Sequence, residues 1–181
     1  MIRAAAGARA RAEARAKPLP SDIASAVVSV RRLVRVLRLH DQRTHAVAGV
    51  SAAQLFVLQQ LGTGGGLSLN ALAERTLTDR SSVAEVVDRL QAQGWVLRQV
   101  DSTDRRRAAV RITAAGRRLL ARAPEAPATA LIAALTALSR PERSALAKAL
   151  VRLNQALGAA DEPATMLFSD DGPMRGRRRR R

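Results

Sequence analysis

The chain has 181 residues, which is enough for one domain with a sizeable core, with or without tails. Hydrophobic residues make up 47% but aromatic residues only 2%, so Ala, Leu and Val must build the core, which favours packed helices over a β-sandwich. Basic residues outnumber acidic ones 31 to 15, a surplus that favours a polyanionic partner, nucleic acid before an anionic membrane. The absence of cysteine excludes disulfides, thiolate catalysis, cysteine-based zinc sites and cysteine redox sensing.

Both ends of the chain have the composition of disordered tails. Residues 1–20 are rich in Ala and Arg and predict a basic arm; they lack the apolar stretch of a secretory signal, although they loosely resemble a transit peptide. Residues 159–181 contain Pro and Gly and finish in Arg177–Arg181, which predicts a second, Arg-rich tail. No apolar run approaches the roughly 20 residues that span a bilayer. We therefore expect a cytoplasmic protein, without a membrane partner, whose folded domain is 21–158.

Two helices are predicted before the glycine run at residues 62–66. The first extends from residue 21 to about 39, and its apolar stripe is wider than one small domain needs for its own core. The second begins after Ser51, a suitable N-cap, and ends at the glycine run. Because no Gly-Lys-Ser/Thr follows the glycines, we expect a flexible turn there and not a phosphate-binding loop.

Residues 67–112 predict a helix, a tight turn, a second helix and a basic β-hairpin, with the order of a winged helix-turn-helix. Two strands alone do not form a stable sheet, so the hairpin must lean on the helices or on a partner. The predicted segments are the helices 68–75 and 79–93, the turn 76–78, the strands 95–100 and 108–112, and the polar loop 101–107.

After Thr113, which is a further predicted N-cap, the pattern becomes helical again. It is interrupted near Pro124 and Pro127, and a Ser139-x-x-Glu142 capping box opens the last helix. The predicted order is α-α-α-α-β-β-α-α. The predicted fold class is mainly α with a small β-hairpin wing, in which helices from both termini form a dimerisation region.

The 79–93 helix has one apolar face and one polar face, and its N-terminal half fits the major groove of DNA, where side chains read base edges. Arg80 can reach guanine or a phosphate. Ser81 and Ser82 suit phosphates or either base type, and Glu85 can accept a hydrogen bond from cytosine N4. A lone helix of this kind is more often simply solvated, but the basic hairpin that follows it favours DNA binding. The predicted contacts of this helix are Arg80, Ser81, Ser82 and Glu85.

The hairpin loop 101–107 places two acids three residues apart beside three arginines. We expect the acids to pair with neighbouring guanidiniums, so that one arginine projects toward a narrow minor groove, whose negative potential attracts it. The alternative is a solvated charged turn. The predicted wing contacts are Arg105, Arg106 and Arg107, and the predicted orienting residues are Asp101, Asp104 and Arg98.

Six motifs between residues 67 and 116 resemble those of the MarR family of bacterial regulators. They are Leu67–Arg75, Ser81–Val83, Val87–Leu90, Gly94–Arg98, Asp101–Arg106 and Ile112–Gly116. The most specific are the Asp-x-x-Asp-Arg-Arg wing and the Ile-Thr-x-x-Gly that follows it. The resemblance implies that Arg106 is the family's minor-groove arginine and that Asp104 orients it. Ala84 and Glu85 depart from the family pattern of a hydroxyl residue and a base, so the family's base preference does not carry over.

The resemblance further implies a homodimer that places two heads, each within 67–112, on a pseudo-palindromic operator. The dimerisation helices are then 21–61 and 114–158, whose surplus apolar surface a second copy covers. It also implies a regulator, usually a repressor, which releases DNA when a small-molecule effector binds between the dimerisation helices and the heads. The predicted interface residues are Ile23, Val27, Val30, Leu150 and Leu153.

Two other functions compete with this one: a nonspecific nucleoid or RNA-associated basic protein, and a winged helix that binds another protein. An enzyme is not expected. His40 and His45 are the only histidines, and no Ser-His-Asp order, paired-carboxylate cleft or metal-ligand spacing is present. The sequence therefore predicts no catalytic residue, metal site or cofactor, and it predicts double-stranded DNA, a second copy and an effector as partners.

Overall fold

The computed structural model describes residues 19–100 and 108–168, which form seven helices and one two-stranded antiparallel sheet. By their contacts these residues fall into two units, one up to Arg38 and one from Leu39 onward. The elements are α1 (Ser21–Ala48), α2 (Ala52–Gly62), α3 (Leu69–Thr76), α4 (Arg80–Ala92), β1 (Val96–Val100), β2 (Ala108–Ile112), α5 (Ala114–Arg122), α6 (Pro127–Ala137) and α7 (Arg140–Ala156).

The predicted fold class is confirmed, with two differences in the helices. The first helix continues nine residues beyond its predicted end at residue 39, because the chain contains no breaker until Gly49, which ends it with a φ of 68°. Three helices follow the hairpin where the predicted order has two. Pro127 occupies the first turn of α6, a position where proline starts a helix instead of interrupting one.

Helix α2 lies at the centre of the 39–168 unit. Eight of its eleven residues are buried, and it contacts α3, α4, α5, α6 and β2. Ser51 caps it as predicted: the Ser51 hydroxyl accepts from the Gln54 amide, and the Gln54 side chain accepts from the Ser51 amide. A short helix that is apolar on every side is stable only inside a core, so the other elements of this unit pack around it.

The hairpin gains support from Leu67, which lies two residues before α3. Strands β1 and β2 pair from Val96 opposite Ile112 to Val100 opposite Ala108. Leu67 pairs with Val110 on the other side of β2, through N···O distances of 3.0 and 2.7 Å. The hairpin is therefore stabilised by the segment before α3, as expected for two strands that do not form a stable sheet alone.

The base of the hairpin is tied to the end of α4 by Thr113. Its hydroxyl donates to the Gly94 carbonyl (2.8 Å) and accepts from the Gly116 amide (3.1 Å), while its own amide donates to the Trp95 carbonyl (3.0 Å). Gly116 packs so closely that an added Cβ would lie 2.2 Å from the Trp95 oxygen. The Ile-Thr-x-x-Gly motif thus joins the helix, the hairpin and α5 at one point.

The C-terminal segment differs from the tail predicted over 159–181. Residues 159–168 are described, and Met166 is buried in the core, only 4% exposed. Met166 begins an apolar run of only three residues, 166–168, which is too short to show a helical or strand period, so the sequence pattern did not predict its burial. The rest of this predicted tail, and the predicted arm apart from Leu19 and Pro20, lie outside the described residues.

Of the helices in the two described ranges, none is both long and apolar enough to cross a membrane.

Replacing Gly116 with Ala is expected to lower the free energy of unfolding by roughly 2 kcal/mol, because backbone must move to admit the methyl group. Urea denaturation measures this change. Ala114→Ser, at an exposed position in the first turn of the same helix, is the control and should stay within about 0.5 kcal/mol of the parent. Equal stability of Gly116→Ala and the parent would contradict the close packing.

Candidate nucleic-acid interface

The turn between α3 and α4 is set by one residue in the left-handed conformation. Leu77 has φ 56° and ψ 37°, and its amide lies against the Ala73 and Glu74 carbonyls at the end of α3. The Thr76 hydroxyl donates to the Leu72 carbonyl (2.8 Å). The left-handed conformation costs a leucine roughly 1–2 kcal/mol. Packing elsewhere in the unit must offset this cost, so the angle between α3 and α4 depends on the fold of the whole unit and not on the turn alone.

Helix α4 begins at a doubly bonded cap. One Asp79 carboxylate oxygen accepts from the Ser82 amide (2.9 Å) and the other accepts from the Ser82 hydroxyl (2.6 Å). These bonds, that of the hydroxyl first, lower the pKa of Asp79 below its usual value. The only hydrogen of the Ser82 hydroxyl is therefore directed to Asp79. A Ser82 contact to a phosphate, as predicted from the sequence, would have to replace this bond.

The two faces of α4 are as the sequence predicted. The polar residues Arg80, Ser81 and Glu85 are exposed. A carboxylate oxygen of Glu85 lies 3.9 Å from a guanidinium nitrogen of Arg89, one turn later, which is at the limit of an ion pair. The first turn of the helix, with Arg80 and Ser81, is therefore open to another molecule. The buried face consists of Val83, Val86, Val87 and Leu90.

An ion pair joins the hairpin to α4. The Arg98 guanidinium on β1 lies 2.6 Å from a carboxylate oxygen of Asp88. The pairing of Arg98 with Asp88 could not be predicted from the sequence, because no local pattern relates positions on a helix and a strand. The pair links β1 to the exposed face of α4.

The predicted wing lies outside the described residues. This applies to the orienting acids Asp101 and Asp104 and to the three arginines Arg105, Arg106 and Arg107. The structure does place the ends of the loop: Val100 and Ala108 are opposite each other, so the loop leaves and rejoins the hairpin at the same end.

The residues predicted for the dimer interface are all exposed. Ile23, Val27 and Val30 lie on α1 in the first unit. Leu150 and Leu153 lie on α7 in the second unit, and no residue of α7 is buried. Each helix by itself therefore presents large apolar side chains to solvent.

A cavity of about 220 Å³ lies in the second unit, beside the turn that precedes α4. Its wall is mainly apolar, with three threonines, and it includes the C-terminal segment. The lining comes from α2 (Ala52, Ala53, Phe56), the turn (Thr76, Leu77, Thr78), α6 (Ala128, Leu131, Ile132, Leu135) and the C-terminal segment (Thr165, Met166, Leu167). Over residues 19–100 and 108–168, no three His, Cys, Asp or Glu side chains come together as metal ligands.

The stability that Asp79 gives to α4 should depend on pH. Because the folded protein has the lower pKa, this stability is complete above the ordinary aspartate value of 3.8 and is lost as the pH falls through the folded-state value. Urea unfolding between pH 2.5 and 6 measures it. Asp79→Asn, which keeps an acceptor but does not titrate, should lose less stability over the same acid range. Identical acid profiles for the two proteins would contradict the assignment.

Comparison with known proteins gives relatives of one kind. A sequence model of the MarR family matches residues 48–107. A Thauera aromatica protein assigned as a transcriptional regulatory protein for the hcr operon is 33% identical over 122 residues, which cover 62% of this chain and 74% of that protein. The transcriptional regulator HosA of Escherichia coli is 29% identical over 93 residues, covering 51% of this chain and 69% of HosA.

Two solved structures share the fold. A MarR family regulator from Streptomyces coelicolor in complex with DNA aligns with a TM-score of 0.54 at 21% identity, over 82% of this chain and 99% of that one. The PcaV transcriptional regulator of the same organism, in complex with its natural ligand, aligns with a TM-score of 0.50 at 27% identity, over 77% and 99%. The chain therefore belongs to the MarR family of DNA-binding transcriptional regulators and has their winged helix-turn-helix fold.

Proposed function

We propose that this protein represses transcription by binding a pseudo-palindromic operator as a homodimer, and that a small molecule releases it. The observation that carries the proposal is α4, which buries its valine face and leaves its first turn exposed beside a hairpin joined to it at Thr113 and by the pair of Arg98 and Asp88. A helix held in this way can enter the major groove with its N-terminal end first. Such a role places the protein at the bacterial nucleoid, in the cytoplasm.

Within this proposal, the first turn of α4 makes the major-groove contacts. Arg80 and Ser81 are exposed and reach a guanine or a phosphate. Glu85 can accept from cytosine N4 if it leaves its loose pairing with Arg89. Ser82 contributes mainly by holding Asp79, and through Asp79 the start of the helix.

The wing supplies the minor-groove contact. Arg106 makes this contact, and Asp104 orients the Arg106 side chain with the help of Asp101. Arg105 and Arg107 then contact the phosphates on either side. Support comes from the hairpin itself, whose base is bonded to the end of α4 through Thr113.

A homodimer accounts for the apolar faces of α1 and α7. Exposed apolar surface of this extent is unfavourable in water and marks an interface. A second copy of the chain has the same two faces and can cover them in a symmetric contact. Two heads in one dimer then meet two half-sites, which is why the operator is expected to be palindromic.

The cavity beside the α3–α4 turn supports control by a ligand. Its mainly apolar wall, with three threonines, fits a small, mainly apolar molecule with few polar groups. The PcaV regulator, solved with its natural ligand, makes such control reasonable for this chain. A ligand releases DNA only if it binds the DNA-free conformation more tightly than the bound one.

Arg106→Ala, with both tails kept, should reduce affinity for a fragment selected from genomic DNA by at least about tenfold, because it removes the minor-groove contact. Fluorescence anisotropy at about 150 mM salt, where nonspecific binding is weak, measures it. Arg118→Ala on α5 removes the same charge from another exposed position and is the control. Unchanged binding of Arg106→Ala would overturn the wing assignment.

The same measurement separates the alternatives. Equal binding of the parent protein to all fragments would indicate a nonspecific nucleoid protein. Binding to no fragment would favour a winged helix that contacts another protein.

Val30→Glu and Leu153→Glu, made separately, should each convert the dimer to monomers, because each buries a charge in the interface. Sedimentation velocity should show that the Kd for dimer dissociation rises by roughly 100-fold or more. Leu97→Glu, on an exposed position of β1, is the matched control. If both variants remain dimers at the concentration where the parent does, the proposed interface is wrong.

A further inference from the structure

The chain returns to the start of α4 after its last helix. The Asp79 amide donates to the carbonyl of Ala164, 85 residues later, at 3.2 Å. Two residues further on, Met166 is buried in the same core cluster as the valine face of α4. The Thr165 amide donates to the Pro163 carbonyl (2.8 Å), which closes a tight turn just before this anchor.

This contact meets α4 where the helix itself offers no partner. The amide of an N-cap residue points out of the helix and otherwise bonds water or another part of the chain. Asp79 is therefore held at two points, its carboxylate by Ser82 and its amide by Ala164. The first bond keeps the helix turn closed; the second fixes where that turn lies relative to the rest of the unit.

We propose that residues 163–167 form a clasp that positions the N-terminal end of α4 for reading DNA, with Met166 as its positioning residue. Burial of the Met166 side chain holds the Ala164 carbonyl in place, and that carbonyl holds Asp79. The exposed residues Arg80 and Ser81 follow directly, so a shift of Asp79 moves the side chains that meet the bases. The inference rests on the proposed role of α4 at an operator.

The clasp also provides a route between the cavity and α4. Thr165, Met166 and Leu167 form one side of the cavity, and the turn 76–78 forms another. A molecule that enters it therefore touches the clasp and the residues immediately before Asp79. Within the described part of the chain the wall contains no charged side chain, so the matching ligand class is small and uncharged.

Met166→Ser, which removes the buried anchor, tests the proposal in the full-length chain. Hydrogen exchange at the Asp79 amide and at residues 81–83 should accelerate more than in α2 or β1. Affinity for the fragment selected by the parent protein should fall at least tenfold, with poorer discrimination against mismatched fragments. Met166→Leu, which refills the site, should restore both properties.

A core residue outside the clasp distinguishes a positioning effect of Met166 from a general loss of stability. Leu119→Ala on α5 also removes a buried side chain, and it should lower stability while leaving the affinity of the folded protein within about twofold. The proposal is overturned if folded Met166→Ser binds as tightly as the parent, or if its exchange rises evenly across the core as in Leu119→Ala. Should Met166→Ser fail to fold, Met166→Ala carries the same comparison.

The two proposals fail in different ways. If the parent selects no fragment, operator binding is wrong, while hydrogen exchange still reports whether Met166 fixes the start of α4. If the parent selects a fragment and Met166→Ser binds it equally well, only the clasp is wrong.

Discussion

Packing of the valine face of α4 against the buried helix α2 is the contact on which the rest of the head depends. Val83, Val86 and Val87 have almost no exposed surface, so the rotation of α4 about its own axis is fixed by the core. β-Branched side chains have few rotamers, which makes this contact stiff. The exposed side of the first turn is then determined as well, because it lies opposite. Affinity for DNA is in this sense a consequence of core packing.

The hairpin and the C-terminal segment hold the two ends of the same helix by unequal interactions. At the C-terminal end the Thr113 hydroxyl and the close contact of Gly116 are short-range and sensitive to geometry. The pair of Arg98 and Asp88 is partly exposed, so its stabilising effect is at most about 1 kcal/mol. Salt should weaken the pair much more than it weakens the junction at Thr113.

Much of the fold could be predicted from the sequence, since its signals are local. Apolar spacing gave the valine face of α4, and the caps at Ser51 and Thr113 gave two helix starts. The missed features depend on distant residues or on weak local signals. The bond between Asp79 and Ala164 joins segments 85 residues apart, and Met166 belongs to an apolar run of only three residues. The bond and the burial of Met166 stabilise the start of α4 only after the chain has folded.

The position of Met166 in the core matters for how the protein is handled. Fluorescent proteins, affinity tags and surface linkers are commonly fused after the last residue of a chain, on the assumption that the end is free of the domain. Here Ala164 is bonded to Asp79, the N-cap of α4, so a fusion partner attached close to this segment would strain that bond. Reporter fusions and immobilised DNA-binding assays should therefore use the N-terminal end, or compare both ends before an affinity is assigned to the protein.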